Sequence, residues 1–247
     1  MTAGAETAAV AAGAAIACVA ATWAVRKLAV AWGFVDRPDG KLKRHEAAVP
    51  LLGGVAVFLA FAAMAVGPVW AASEPDVDPV AALLAGAFVM LAVGVADDRR
   101  RLGWREKLLA ELILAMVLAR AGVRIQIEFL PVVANYVASA LWLVGVANAV
   151  NLIDVMDGLA SGTCAVIAAT LAVIGLLTGN LSLALASAAL AGALVGFLVW
   201  NWRPARIYLG DAGSLFIGFT LAALSMWASY TVRHRAALGV PLLVLGV

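Results

Sequence analysis

Eight apolar runs follow one another along this chain, each closed by a short polar stretch, and they restrict it to one architecture. The runs cover about 8–25, 49–70, 80–96, 108–119, 136–153, 159–178, 181–200 and 212–230. A bilayer core needs about 20 apolar residues as a helix, whereas a barrel strand alternates polar and apolar positions over about 10. These runs do not alternate. With 65% hydrophobic and 13% charged residues in 247, the chain has too little polar surface to cover a soluble domain. The expected fold is all-α: a polytopic helical membrane protein in one integral membrane domain, residues 1–247. The fourth run is short and carries Glu111, so its limits are the least defined. A ninth apolar run, 236–247, would rise only about 18 Å as a helix and stops partway across. The chain is therefore expected to be a piece of a longer protein.

Charge orients the spans. No basic residue precedes the first run, and Arg26 and Lys27 follow it, the reverse of a secretory signal. With the N-terminus outside, the loops 26–48, 97–107 and 201–211 fall inside and hold 13 of the 17 Lys and Arg residues. That asymmetry matches the positive-inside rule. The net charge of +2 gives no footprint for a nucleic-acid partner. Residues 123–131 alternate with period two and predict a small outside hairpin. Cys18 and Cys164 lie in separate apolar runs and read as packing residues. Trp23, Trp32, Trp70, Trp104, Trp200 and Trp202, near span ends, read as interfacial anchors.

The same parity puts every polar cluster on the inner face. These are Asp36–His45 with Pro50-Leu-Leu-Gly53-Gly54, then Asp97-Asp98 with Arg99–Arg101 and Lys107. The third is Asn148-x-x-Asn151-x-x-Asp154-x-x-Asp157-Gly158, and the fourth runs from Asn201 to Ser214. Taken singly, each has a plainer reading: topology signals, a helix cap at Asp97-Asp98, interhelical bonding at Asn148 and Asn151. Taken together, Asp97, Asp98, Asp154, Asp157 and Asp211 would repel one another at one interface unless a cation relieved them. All-oxygen donors without a His–Cys grouping favour Mg²⁺ or Mn²⁺. Nearby Lys and Arg residues supply the rest of a phosphate site, and Gly210–Ser214 opens a helix whose N-terminus suits an anion. On a regular helix Asn148 and Asp157 would face apart, so the helix is expected to end or distort near Asp157-Gly158. A transporter with an interfacial acidic cation site is the rival reading, but it would need charges near the bilayer midplane. A phosphatidyl-alcohol transferase would need an Asp-Gly-x-x-Ala-Arg signature, which Asp157-Gly158-Leu-Ala-Ser-Gly lacks.

At these residues the chain resembles the polyprenyl-phosphate N-acetylhexosamine-1-phosphate transferases (glycosyltransferase family 4). Asp36, Pro38, Lys43, His45, Pro50, Gly53 and Gly54 match the first motif, and Asp97, Asp98 and Lys107 the second. Asn148, Asn151, Asp154, Asp157 and Gly158 match the third, and Asn201, Pro204, Ala205, Gly210, Asp211, Gly213 and Ser214 the fourth. The motifs keep the family order over about residues 20–230, and Lys43-Arg-His45 looks closer to the GlcNAc-type branch than to the lipid I enzyme. Departures are Val155 for a common Gly, Glu111 for a frequent Gln, and Tyr208 for a usual Phe. The family's late His-rich loop and last span are not matched.

The resemblance implies Mg²⁺-dependent transfer of N-acetylhexosamine-1-phosphate from a UDP-N-acetylhexosamine to undecaprenyl or decaprenyl phosphate. UMP is released at the cytoplasmic face of a bacterial inner membrane, in the first membrane step of cell-wall or surface glycan synthesis; the resemblance leaves a homodimer open. It implies Asp97, Asp98 and Asp211 as catalytic residues and Asp211, Asp98 and Asp154 at the metal. It also implies substrate contacts from Lys43, His45, Lys107, Asn148, Asn151, Asp154, Asp157, Asn201, Tyr208, Gly213 and Ser214. Asp97 is expected to orient or deprotonate the lipid phosphate, and a covalent aspartyl-phosphate route is disfavoured.

Overall fold

A computed structural model describes residues 2–36, 48–71, 77–127 and 130–228. The elements in chain order are α1 (Ala3–Ala31), β1 (Val35–Asp36), β2 (Val49–Pro50), α2 (Gly53–Ala71), α3 (Val77–Arg100), α4 (Trp104–Arg120), α5 (Val132–Ile153), α6 (Leu159–Thr178), α7 (Leu181–Asn201) and α8 (Gly210–Trp227). Each predicted apolar run is a helix. Five of them, α1, α3, α5, α6 and α7, are long and apolar enough to cross a membrane. The apolar part of α2, Gly53–Val66, is shorter, and α4 and α8 are not among the five. The partial ninth run lies outside the described residues, as do Lys43 and His45.

Two helices form the inside of the bundle. In α8 every residue from Ala212 to Trp227 is buried, and in α7 most are. The rest wrap around them: α8 packs on α2, α3 and α5, and α7 on α1, α2 and α6. Outward positions carry exposed apolar side chains such as Ile16, Leu141, Val166 and Leu177. A soluble protein rarely shows so much apolar surface, whereas lipid covers it without cost.

Close approach depends on small residues. A Cβ built on Gly54 of α2 would collide with the backbone of Gly213 in α8, so the two helices cross through paired glycines. Gly192 and Gly196 of α7, four residues apart, meet the α1 backbone at Ala11 and Ala15 in the same way. Both cysteines are buried, as packing residues should be. Trp23, Trp32, Trp104 and Trp202 are exposed near helix ends.

The hairpin expected at 123–131 does not form among the described residues there. The Ile125 N–H donates to Ser139 Oγ at 2.9 Å and the Ile127 N–H to Asn135 Oδ1 at 3.2 Å. Side chains of α5 thus satisfy the loop backbone, and no strand partner is needed. The described strands are instead β1 and β2, an antiparallel pair with Val35 opposite Pro50. This pair docks beside the α7–α8 loop: the Tyr208 N–H donates to the Pro50 carbonyl at 2.9 Å, and the Gly53 N–H to the Tyr208 carbonyl at 3.0 Å.

Candidate active site

One end of the bundle gathers the polar clusters. The C-terminal ends of α3, α5 and α7 and the N-terminal ends of α6 and α8 meet around a cavity of about 570 Å³. Asp36 and Leu51 line it from the strand region, and Asp97, Asp98 and Arg101 from the end of α3. Asn151 and Asp154–Asp157 contribute from the α5–α6 turn, and Asn201 and Tyr208–Asp211 from the α7–α8 side.

Asp98 holds the start of α8. Its Oδ1 accepts the Asp211 N–H at 2.9 Å and its Oδ2 accepts the Ala212 N–H at 3.1 Å. A carboxylate from α3 thereby caps α8, satisfying donors that the first turn leaves bare and meeting the positive dipole end. Gly210 has φ +75°, and a Cβ there would lie 2.7 Å from Asp98 Oδ2, so glycine is required on both counts. Asn151 sets the other side of α8: its Nδ2 donates to Asp211 Oδ1 at 2.7 Å and to Ser214 Oγ at 2.8 Å.

Asp97, the preceding residue of α3, lines the same cavity, interacts with the Asp211 carboxyl and is only 5% exposed. Its Oδ1 accepts the Leu102 N–H at 2.6 Å, and its Oδ2 pairs with Lys107 Nζ at 2.7 Å. Lys107 thus faces Asp97 and is not part of the cavity lining. Arg101 closes α3 with φ 52°, a left-handed conformation that a non-glycine residue adopts at some cost and that is common at functional sites.

Helix α5 ends at Ile153, one turn earlier than the expected break at Asp157-Gly158. Asp154 caps it, and Gly158, with φ +75°, turns the chain into α6. The early end brings Asp157 back toward α7, where its Oδ2 accepts the Ala205 N–H at 3.0 Å. Asp154 sits in this turn with its carboxyl pushed up to about 7. Burial is the main cause, followed by the charges of Asp211, Asp98 and Asp157. Burial likewise raises the Tyr208 phenol, with the Asp157 and Asp36 charges adding to it.

Other expected site residues also bond within the scaffold. Asn201 is buried; its Oδ1 accepts from the Gly158 N–H and Ser161 Oγ, both at 3.1 Å, and its Nδ2 donates to the Ile207 carbonyl at 3.0 Å. It locks the α5–α6 turn to the α7–α8 loop. Asn148 turns away from the cavity and donates to Glu111 Oε2 at 2.8 Å. Gly213 is the α2 contact, and Ser214 lies beneath Asn151. Sequence reasoning did not place Asp36 or Arg101 among the site residues, although both line the cavity. Asp36 was visible as part of a motif. Nothing local separated Arg101 from Arg99 and Arg100, since the left-handed residue that ends α3 sets its direction.

The donor set fits a hard divalent cation. Asp98, Asp154 and Asp211 offer only oxygen, and the elevated Asp154 carboxyl marks a cluster short of positive charge. Among the described residues no group of three or more His, Cys, Asp or Glu side chains is arranged to hold a metal ion by itself. Mg²⁺ suits such an open arrangement, because it takes one or two carboxylates and leaves its other positions to water and phosphate oxygens.

Comparison with known proteins places this architecture. The family description "Glycosyl transferase family 4" matches residues 80–229. A Bacillus subtilis protein named "Probable undecaprenyl-phosphate N-acetylglucosaminyl 1-phosphate transferase" is 32% identical over 223 residues, covering 87% of this chain and 61% of its own length. The decaprenyl-phosphate N-acetylglucosaminephosphotransferase of Mycobacterium tuberculosis is 34% identical over 219 residues, 78% of this chain and 53% of its own length. A phospho-N-acetylmuramoyl-pentapeptide-transferase of Levilactobacillus brevis is 30% identical over 220 residues, 78% of this chain and 68% of that one. The chain thus spans between about half and two-thirds of these relatives. With the matched segment running from α3 through α8 and so holding Asp97, Asp98, Asn151, Asp154, Asp157 and Asp211, the chain belongs to glycosyl transferase family 4, the superfamily of polyprenyl-phosphate hexosamine-1-phosphate transferases.

Proposed function

We propose that this cavity transfers N-acetylhexosamine-1-phosphate from a UDP-sugar to a polyprenyl phosphate at the inner face of a bacterial plasma membrane, with the N-terminus of the chain outside. The observation that carries the proposal is the meeting of Asp98, Asp154 and Asp211, from three separate stretches of chain, in one cavity at one end of an apolar bundle. A water-soluble nucleotide and a lipid-borne phosphate can reach each other only at such a boundary. The relatives named for polyprenyl-phosphate transfer support the lipid acceptor.

The lipid phosphate oxygen forms a bond to the β-phosphorus of the donor. The bond from that phosphorus to the bridging oxygen breaks, and the oxygen leaves with UMP. A phosphate monoester has its second pKa near 6, so the nucleophile needs little deprotonation at neutral pH. Positioning and charge neutralisation therefore carry the reaction. Mg²⁺, held by Asp211 with Asp98 and Asp154 beside it, would supply that neutralisation when bound. Asn151 fixes the Asp211 carboxylate, and Asp98 fixes the backbone that carries it. Asp97 holds Lys107 and orients the lipid phosphate. Tyr208, which lines the cavity, gives the nucleobase an aromatic side chain to stack on. Lys43 and His45 supply further phosphate contacts.

The test is exchange of labelled UMP into a UDP-N-acetylhexosamine in membranes holding the chain, Mg²⁺ and polyprenyl phosphate. Exchange is expected, and Asp211→Asn should abolish it and weaken its Mg²⁺ dependence. Near-normal turnover in that variant would remove Asp211 from the chemistry. Movement of an ion or solute without exchange would favour transport.

A further inference from the structure

Glu111 is the one carboxyl or basic side chain among the described residues that is fully enclosed in the bundle, at 0% exposure. It lies in the middle of α4, facing α5. Its Oε2 accepts from Asn148 Nδ2 at 2.8 Å, while its Oε1 is buried with no partner. Asn148 cannot serve both oxygens, because its Nδ2 also donates to the Val144 carbonyl at 2.8 Å. A carboxyl held only as interhelical glue would need one oxygen, and an amide would do as well. The second oxygen is left for something that the structure holds elsewhere.

Lys107 stands one turn before Glu111 on α4, the spacing at which two helical side chains meet. Its ammonium carries three donors, and Asp97 Oδ2 takes one at 2.7 Å. The Glu111 carboxyl lies within Coulomb reach of that ammonium, as do Asp97 and Asp211. We propose that Glu111 is the second seat of Lys107: the ammonium rests on Asp97 in this structure and passes to the orphan Glu111 oxygen when Asp97 is needed by the lipid phosphate.

The proposal rests on the transfer reading for its purpose, though not for its geometry. Asp97 lines the cavity, but both its oxygens are engaged, by Leu102 and Lys107. To meet a phosphate it must release the ammonium, and Lys107, its side chain only 23% exposed, would then lose the carboxylate that it is bonded to. Glu111 offsets that loss by keeping the charge paired throughout. It acts through Lys107 and is a positioning residue. Through Asn148, one turn before Asn151, it also ties α4 to the helix that holds Asp211.

Two measurements on the chain in membranes test this. The first is coupling with the lipid-soluble reagent dicyclohexylcarbodiimide, which activates a buried carboxyl so that the Lys107 amine forms an amide with loss of water. Tryptic mass spectrometry then locates the bond. Wild type should give the Lys107–Asp97 product, and Asp97→Asn should shift coupling to Glu111, seen as dehydration within the peptide 106–120. The second is kinetics. Glu111→Gln keeps the shape and the Asn148 contact, so melting temperature and KM for polyprenyl phosphate should stay within about twofold of wild type while kcat falls about tenfold or more. Glu111→Asp should recover part of that loss. Absence of the Lys107–Glu111 product in Asp97→Asn, or wild-type kcat in Glu111→Gln, overturns the proposal. So does a joint fall of kcat and melting temperature. If coupling shifts as expected but wild type exchanges no UMP, the two-seat pairing stands and the transfer reading falls.

Discussion

At the scale of single residues, Asp154 is the most informative group in the site. Burial, with the charges of Asp211, Asp98 and Asp157, pushes its carboxyl up to about 7. A carboxyl raised in the folded state opposes folding as pH climbs from the ordinary carboxylate range through 7, and a bound cation reverses that effect. A cation bound there, as proposed, would therefore compete with the proton. The half-saturating Mg²⁺ concentration for UMP exchange should rise as pH falls below 7, by up to about tenfold per unit for one competing proton. Asp154→Asn should flatten that dependence. A slope in the variant equal to that of wild type would place the proton elsewhere. The spacing of Asn148, Asn151, Asp154 and Asp157 was legible in the sequence, but their division of labour was not. Periodicity treats the four as one helical face, whereas the helix ends at Ile153 and sends Asn148 to Glu111, Asn151 to Asp211 and Asp157 to Ala205.

At the scale of elements, the apolar runs gave each helix within a few residues, because lipid and core impose the same demand on every turn. The exceptions have physical causes. Helices α1 and α3 run beyond their apolar limits, since a helix continues wherever its backbone bonds can close. The two-residue pairing of β1 with β2 has no periodicity to detect. The alternation at 123–127 was real but served side-chain bonds from α5. Crossing points were legible only as glycines of unknown purpose. Gly54 and Gly213 let α2 reach the first turn of α8, where Asp211 sits. Gly54→Ala should force the two backbones apart at a cost of about 1–3 kcal/mol. It should lower the melting temperature in detergent and reduce UMP exchange more than an equal apolar change on the lipid face, such as Leu141→Ala. Unchanged melting and exchange in Gly54→Ala would show that the crossing tolerates a methyl group.

At the scale of the whole molecule, the alternation of helix directions puts the ends of α3, α5 and α7 and the starts of α4, α6 and α8 on one side. In the proposed orientation that side faces the cytoplasm. Val155 lies there and is 76% exposed, while Val133, 73% exposed, lies at the opposite end of α5. A membrane-impermeant maleimide added outside sealed cells should label Val133→Cys but not Val155→Cys, and permeabilisation should expose the second. Cys18 and Cys164 are buried and should stay unlabelled in both. Labelling of Val155→Cys from outside would invert the topology and place the nucleotide site on the wrong side of the membrane.

The grip of Asp98 on α8 joins groups 113 positions apart. At about 5–20 residues per second, a ribosome would need roughly 5–20 s to deliver the second partner after the first has emerged. Through that interval the nascent bundle carries an acid with no helix to hold, and the site comes into being only when the last described helix threads in among its older neighbours.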